Sequence, residues 1–432
     1  MPSLGELVAP RRLGRDFRWL LASSWTSNIG DGIALSASPL LIASLTSSPL
    51  LVAAGAMMQF LPWLLFGLFA GSIADHHDRR RLVMLANGSR ALIVLGLVAF
   101  LATGQVTVGI VLATAFLYGT AEVFADTAGS TLLPMLAKPA DLGVGNARLQ
   151  AGFLVGNQLA GPPLGAFLFA AGTFWPFLVQ ILCVSLAVVL ISRIARTPVP
   201  AREAEGAAET PGSIRAVATS IGEGLRWLRG NAPVRTLVLI ILVFNVTWAA
   251  PWGVLVLYAT EHLGMGPVGY GALTTASALG GLLGVGCFGL LERRVSFSTL
   301  MRVCLSLEVI MHLGFALTTS PVVAFAIMFG FGAYAFVWGT ISTTVRQRLV
   351  PLELQGRIAS VNMVGVFGGL VIGQLLGGLI AQTWGLTAPW WFAFGGSAIT
   401  LLFFWRSISL IAAAPPVLGG EPAGGPQASK EP

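Results

Sequence analysis

Two groups of acidic side chains, with their polar neighbours, could bind an ion within apolar stretches of this 432-residue chain. Asp31 follows Asn28 by three positions and Ser24 by seven, so the three polar groups share one face of a helix. Because a carboxylate in an apolar segment is costly, it is a functional candidate. We predict that Asp31 couples ion movement and that Asp31 and Asn28 contact a ligand. The alternative is a buried acid with a structural role.

A second acidic group is the pair Glu122 and Asp126, which are four residues apart and so lie on one face of a helix. Two carboxylates this close do not easily both ionise, which favours holding one proton. We predict that Asp31, Glu122 and Asp126 carry protons. The alternative places Asp126 at the end of its helix, in an ion pair with Arg79 or Arg80.

Aromatic residues follow helical spacing in the second half of the chain, where they offer flat surfaces to apolar or cationic ligands. An alternative is packing or an interfacial belt. Every candidate coupling acid is assigned to the first half, and Glu308, with His312 one turn on, is given a structural or subunit-facing role. The predicted substrate-binding residues are Asn28, Asp31, Phe244, Asn245, Trp248, Trp252, Tyr334 and Trp338.

The amino-acid composition of the chain is that of a membrane protein. Mean hydropathy is +0.81, hydrophobic residues make up 55% and charged residues only 10% of the chain. A membrane-spanning helix needs about 20 apolar residues, which leaves room for roughly twelve spans. The sequence therefore predicts an all-α membrane protein with twelve transmembrane helices.

The distribution of Lys and Arg predicts the orientation of these spans. All 25 are assigned to one side of the membrane or to helix ends on that side, and the alternate loops have none. Cytoplasmic loops carry this excess, so we expect a protein of the inner membrane with both termini in the cytoplasm. The net charge of +7 reflects the same bias and attraction to membrane lipid, and nucleic-acid binding is not expected.

Spacing also indicates an internal duplication. Gly71 and Gly289 are 218 positions apart, while the pairs Pro134 with Pro351 and Gly161 with Gly378 are 217 apart. This offset predicts two pseudo-symmetric six-helix bundles at 1–194 and 234–410. The segment 195–233 is predicted to be a cytoplasmic linker with an amphipathic helix, and 411–432 a disordered tail.

Patterns of enzymes and of metal or nucleotide sites are missing from the sequence. It has no phosphate-binding GxxxxGK[ST] loop, no HExxH pair and no GxSxG nucleophile motif. The three cysteines are isolated in apolar stretches and do not have metal-ligand spacing. We expect no catalytic activity, no cofactor and no metal, and work driven by an ion gradient.

The segment from Gly71 to Arg81 resembles the cytoplasmic signature of the major facilitator superfamily. Gly71, Asp75, Arg79 and Arg80 match that signature, whereas its Arg/Lys and Gly positions differ here. The resemblance implies alternating access between two bundles. The residues assigned to the conformational switch are Gly71, Asp75, Arg79, Arg80, Gly161 and Pro162.

Further stretches are similar to the enterobactin-exporter and macrolide-efflux branch of that superfamily. They include Asn28–Gly32, Phe124–Pro134, Gly222–Arg229 and Val350–Arg357. The branch implies export of hydrophobic small molecules or siderophores by proton antiport, with helices 1, 4, 7 and 10 lining the cavity. The arginine of many such antiporters in helix 4 is absent from Gly119–Glu122.

These observations predict a monomer whose partners are a small-molecule substrate, protons and membrane lipid. Two alternatives stay open. One is an uncoupled facilitator or importer of the same fold, and the other is a membrane sensor or scaffold that transports nothing.

Overall fold

The computed structural model describes residues 11–195 and 214–413, and every secondary-structure element in those ranges is helical. The predicted polar stretch at 198–212 lies outside the described residues, as does the predicted tail from 414 onward. The last helix continues through Ala413, two residues past the predicted start of the tail.

Eleven of the described helices are long and apolar enough to cross a membrane, and a twelfth apolar helix, α6, has 17 residues. The apolar helices are α1 Gly14–Leu45, α2 Pro49–His76, α3 Arg79–Ala102, α4 Val108–Leu136, α5 Pro139–Ala171, α6 Trp175–Ile191, α7 Ala232–Trp252, α8 Pro267–Arg294, α9 Phe297–Leu317, α10 Pro321–Leu349, α11 Gln355–Trp384 and α12 Ala388–Ala413.

Short polar side chains fix where several of these helices begin. Asp78 accepts a hydrogen bond from the backbone N–H of Arg81 at 3.2 Å, and Asn231 does the same for Val234 at 3.2 Å. Such caps satisfy N–H groups that have no partner within the helix. Helix α5 is irregular, because a π-helical segment at Phe153–Ala160 separates its two α-helical parts.

The packing of α1–α6 is repeated by α7–α12. Helix α1 packs on α5 and α6, as α7 packs on α11 and α12; α2 packs on α4, as α8 packs on α10. The two groups of helices meet where α2 contacts α11 and α5 contacts α8. The duplication read from the sequence is therefore visible as a repeated set of helix contacts.

Glycines allow the closest of these contacts. A Cβ at Gly161 would clash with Cα of Gly32, and a Cβ at Gly377 would clash with the carbonyl of Ala250. Small residues at helix crossings permit this approach in lipid. The predicted pairing of Pro134 with Pro351 is wrong, since Pro134 lies inside α4 whereas Pro351 follows α10.

Two ends of the molecule differ in charge. The basic end carries Arg79–Arg81, Arg293 and Arg294, while the loops of the opposite end at 103–107 and 318–320 contain no Lys or Arg. At the basic end a linker helix, Ile214–Gly230, packs on α11, and Glu223 forms an ion pair with Arg357 at 2.9 Å.

Candidate functional site

A fully buried arginine lies at the centre of the first group of helices. Arg90, near the middle of α3, forms an ion pair with Asp31 of α1, and its Nη2 donates to the hydroxyl of Tyr118 on α4 at 2.6 Å. The Tyr118 hydroxyl donates to Asp31 Oδ1 at 2.5 Å, and the Arg90 guanidinium lies 4.4 Å from the Tyr118 ring centroid. Three helices are thereby joined through one charge pair.

Two further side chains complete the contacts of this arginine. Its Nη1 donates to Asn87 Oδ1 at 2.7 Å and to Ser27 Oγ at 3.1 Å. Ser27 also lies 3.4 Å from Asp31 Oδ2. The guanidinium has fixed donors in one plane, so this arrangement sets its orientation as well as its charge.

The other two acids of this group face open space. Glu122 is half-buried and Asp126 is exposed, and both line a cavity of about 330 Å³ together with Asp31 and Tyr118. In the described ranges 11–195 and 214–413, neither carboxylate has a hydrogen-bond or ion-pair partner. The alternative that pairs Asp126 with Arg80 is not seen, since Arg80 donates to the backbone carbonyls of Ile191, the last residue of α6, and of Ser192, which follows it.

A larger cavity of about 590 Å³ lies on the basic-end side of the same cluster. Asp31, Arg90 and Asp126 line it, as does Asn28, whose amide donates to the backbone carbonyl of Ser24 at 2.7 Å. Asn28 and Asp31 therefore share the polar face of α1 that the sequence predicts. Protons and polar groups could reach the acidic cluster through this cavity.

The second group of helices holds a buried carboxylate of its own. Glu308 on α9 is 7% exposed, and its Oε2 accepts a hydrogen bond from the Tyr334 hydroxyl of α10 at 2.8 Å. Its Oε1 lies 3.6 Å from His312 Nε2. Glu308 is therefore directed into its own group of helices, which does not fit the subunit-facing role, whereas its structural role stays a prediction. The assignment of every coupling acid to the first half also stays a prediction.

The predicted aromatic residues surround this carboxylate. Glu308 lines a cavity of about 210 Å³ whose other lining residues include three of the predicted set on α7 and two on α10. Those that belong to the prediction are Phe244, Asn245, Trp248, Tyr334 and Trp338. Trp252 lies next to them, because its ring stacks on Trp248 with centroids 4.9 Å apart.

A central cavity of about 290 Å³ joins the two groups of helices. It is lined from the first group by Gln59, Phe60 and Gln158, and from the second by Trp248 and Phe331. Gln59, Phe60 and Gln158 also line the acidic cavity, while Trp248 and Phe331 also line the Glu308 pocket. The spaces are therefore neighbours, and they lead from the acids of one group to the aromatic pocket of the other.

The predicted switch residues occupy two places. At Gly71 an added Cβ would meet no atom within 4 Å, so packing in this conformation does not require glycine. Arg79 Nη1 contacts Met135 Sδ at 2.9 Å, and Arg80 donates to the carbonyl of Ile191 at 3.3 Å. Both contacts lie within the first group of helices, and the role of these arginines in switching stays a prediction. The side chain of Asp75 is outside the described residues.

The other two switch residues lie at the crossing of α1 and α5. Gly161 packs against Gly32, and the carbonyl of Pro162 accepts a hydrogen bond from Ser36 at 2.7 Å. Pro162 also lines the central cavity. Both residues therefore stand where α5 could move against α1, and their role in switching stays a prediction.

Sequence reasoning missed Arg90. The assignment of all Lys and Arg to one side or to helix ends is wrong for this residue, which stands in the middle of α3. The sequence does contain a signal for its position. Arg90 comes eleven positions after Arg79, well past the loop, and the apolar run from Ala91 to Phe100 follows it directly. Counting positive residues loop by loop groups Arg90 with Arg79–Arg81 and so hides its position inside the helix. The sequence has no arginine in α4 at Gly119–Glu122. Arg90 places one beside α4 from the neighbouring helix α3, where it contacts Tyr118.

A family model described as "Transmembrane secretion effector" matches residues 8–415. The chain belongs to this family of the major facilitator superfamily. It is 29% identical over 392 residues to the "Multidrug efflux pump Tap" of Mycolicibacterium fortuitum, which covers 85% of this chain and 90% of the relative. The pump of the same name from Mycobacterium tuberculosis (strain ATCC 25618 / H37Rv) is 28% identical, and the match covers 85% of this chain and 88% of the relative.

Solved transporters share the fold. A bacterial homologue of the iron transporter ferroportin in its inward-facing state matches with a TM-score of 0.71 and 18% identity, over 91% of this chain and 99% of that one. A bacterial homologue of ferroportin in its outward-facing state matches with a TM-score of 0.60 and 18% identity, over 92% of this chain and 100% of that one. The nucleoside transporter NupG matches with a TM-score of 0.73 and 10% identity, over 93% of this chain and 100% of that one. Family and relatives indicate a membrane transporter of the efflux type, and a transporter is not an enzyme.

Proposed function

We propose that this protein exports hydrophobic small molecules, of the drug, macrolide or siderophore-like kind, by proton antiport and alternating access. The observation that carries the proposal is the series of neighbouring cavities between the acids of α1 and α4 and the aromatic residues of α7 and α10. Relatives named multidrug efflux pumps support the direction of transport and the breadth of cargo.

The arrangement we propose is twelve transmembrane helices in two bundles, 1–194 and 234–410, joined by the linker 195–233. The repeated helix packing supports this division, with α6 as the shortest span. The basic end faces the cytoplasm, and both termini lie there in the inner membrane. Protein monomers suffice, because each bundle supplies one side of the central cavity.

The conformation described here favours entry from the basic end. The cavity of about 590 Å³ lies there, whereas at the opposite end Ser48 of the loop after α1 donates to Gln382 of α11 at 3.2 Å. The greater likeness to an inward-facing ferroportin homologue than to an outward-facing one agrees with this assignment. Cargo then enters from the cytoplasm and leaves after the bundles rock about the site.

Protons bind at the acids that have no partner within the described residues. Glu122 and Asp126 face the cavity and interact electrostatically with Arg90, which is already paired with Asp31. A deprotonated Glu122 competes with Asp31 for the same guanidinium, and a protonated one does not. Proton exchange at Glu122 thereby changes how tightly α1, α3 and α4 are held together, which links the proton to movement.

Everted membrane vesicles with an acid interior, reported by a quenched dye, test this function. We would add lipophilic cations, macrolides and catecholate siderophores in turn. Dequenching that requires this protein is expected, and Glu122→Gln should lower it at least tenfold. The matched control is Glu292→Gln, which makes the same change at an exposed residue outside the cavities.

The alternatives predict different outcomes. An uncoupled facilitator or importer moves labelled cargo without a pH gradient and gives no dequenching. A sensor or scaffold moves none. Cargo flux that is equal with and without the gradient would contradict antiport.

A further inference from the structure

The Glu308 pocket is built to hold one group of a ligand. Its volume of about 210 Å³ is below the ~300–1,000 Å³ of pockets that enclose a drug-sized molecule. It shares Trp248 and Phe331 with the central cavity, which has room for the remainder of such a molecule. A ligand can therefore place one end beside Glu308 and its larger part between the two groups of helices.

No permanent cation neutralises Glu308 among the described residues. The groups that face it are the Tyr334 hydroxyl of α10, His312 on its own helix, and Cys304, one turn earlier. Helix α7 contributes Phe244, Asn245 and Trp248, none of which is charged. A carboxylate inside the membrane normally pairs with a positive group, so the pocket is chemically incomplete.

The equivalent position in the first group of helices shows what is missing. Helices α3 and α9 begin at Arg79 and Phe297, 218 positions apart, and the same offset aligns Arg90 with Glu308. Arg90 pairs with the protein's own Asp31, whereas the residue at Asp31 plus 218 is Ala249. In the second group the acid stands alone on α9, and no arginine on α7 reaches it.

The aromatic walls favour a particular kind of cation. Ring faces attract a positive charge, most strongly when it is weakly hydrated, as a quaternary or tertiary ammonium is. Trp248 stacks on Phe331 with centroids 6.1 Å apart, and Phe331 meets Tyr334 edge-on at 5.6 Å. The carboxylate and these rings together line one compact pocket.

We propose that the Glu308 pocket binds the ammonium group of cationic cargo, whose apolar body lies in the central cavity. The inference rests on the proposed export function and assigns that function a cargo class. Glu308 supplies the charge, Tyr334 orients the carboxylate through its hydrogen bond, and Trp248 and Phe331 cover the ammonium group.

Calorimetric titration of the purified full chain tests the pocket with no proton gradient. The probes are phenyltrimethylammonium and its uncharged isostere tert-butylbenzene. We expect the wild type to bind the ammonium at least tenfold more tightly than the isostere, and Glu308→Gln to abolish that preference. The glutamine keeps the side chain's size and can still accept from Tyr334, and Glu292→Gln is the matched surface control.

A second variant separates binding from folding. Trp248→Leu retains the carboxylate but removes one ring face, so it should weaken ammonium binding several-fold while isostere binding changes less. A wild type with no preference for the ammonium, or a Glu308→Gln protein that keeps it, overturns the proposal. Proton release on export of uncharged cargo is measured separately, and its failure would contradict the proposed function while leaving this binding result intact.

Discussion

Arg90 and Glu308 stand at equivalent places in the two groups of helices but carry opposite charges. Arg90 is enclosed by Asp31, Tyr118, Asn87 and Ser27, so its charge is balanced within the protein. Glu308 has one tyrosine hydroxyl and a buried histidine beside it, and an aromatic cavity in front of it. The comparison shows that the two groups share their helix packing, while the buried charges at this position differ in sign and in their partners.

The largest predicted effect concerns the balanced charge. Arg90→Met leaves Asp31 buried without its cation, which should lower the free energy of unfolding by about 3–5 kcal/mol. Chemical unfolding of the purified protein measures this loss, with Arg294→Met as a control because Arg294 is exposed.

The double variant Arg90→Met with Asp31→Asn removes both charges, so it should recover much of the lost stability. If the double variant is as unstable as the sum of the two single variants, Arg90 and Asp31 do not act as a pair. The comparison with Glu308 would then have no basis.

The next largest effect is expected from Gly→Ala substitutions at one helix crossing in each group of helices. Gly161→Ala and Gly377→Ala each place a methyl group against the backbone of the neighbouring helix, at the crossings of α1 with α5 and of α7 with α11. Overpacking of this kind should cost about 1–3 kcal/mol in each case. Thermal unfolding should show similar losses for both and none for Gly96→Ala, where a Cβ meets no atom within 4 Å. A loss confined to one variant would contradict the equivalence of these crossings.

The smallest predicted effect concerns Glu122 and Glu308, which we expect to have different functions. Glu122→Gln should lower proton-coupled efflux of uncharged cargo at least tenfold, about 1.4 kcal/mol, and leave ammonium binding unchanged. Glu308→Gln should do the reverse. Vesicle efflux and calorimetry on the same two proteins check this, and equal defects in both assays would show that the acids act as one site.

Much of the fold could be predicted because apolar length and spacing are local properties. The spans, the linker helix at Ile214–Gly230 and the acids of α1 and α4 all follow from residues within a single helix. The pairing of Pro134 with Pro351 failed because α4 and α10 have the same length of 29 residues but begin and end 213 positions apart, not 217, so Pro351 falls beyond the end of α10.

The contacts that define the site could not be predicted in the same way. Asp31 and Arg90 are 59 positions apart, and nothing local to either residue reveals that α1 and α3 bring them together. Glu308 was given a structural or subunit-facing role, and the family resemblance implied a cavity lined by helices 1, 4, 7 and 10. In the structure α9 packs on α10 and α12, and Glu308 lines a pocket together with residues of α7 and α10.

Cargo-driven proton movement in proteoliposomes that contain only this protein shows whether export is coupled to protons. A pH-sensitive dye and labelled cargo are followed together in the wild type, Glu122→Gln and Glu292→Gln. We expect cargo export and proton movement in the opposite direction to occur together in the wild type and in Glu292→Gln, and Glu122→Gln to lower both at least tenfold. Export of cargo by the wild type without any proton movement would contradict the proposed antiport.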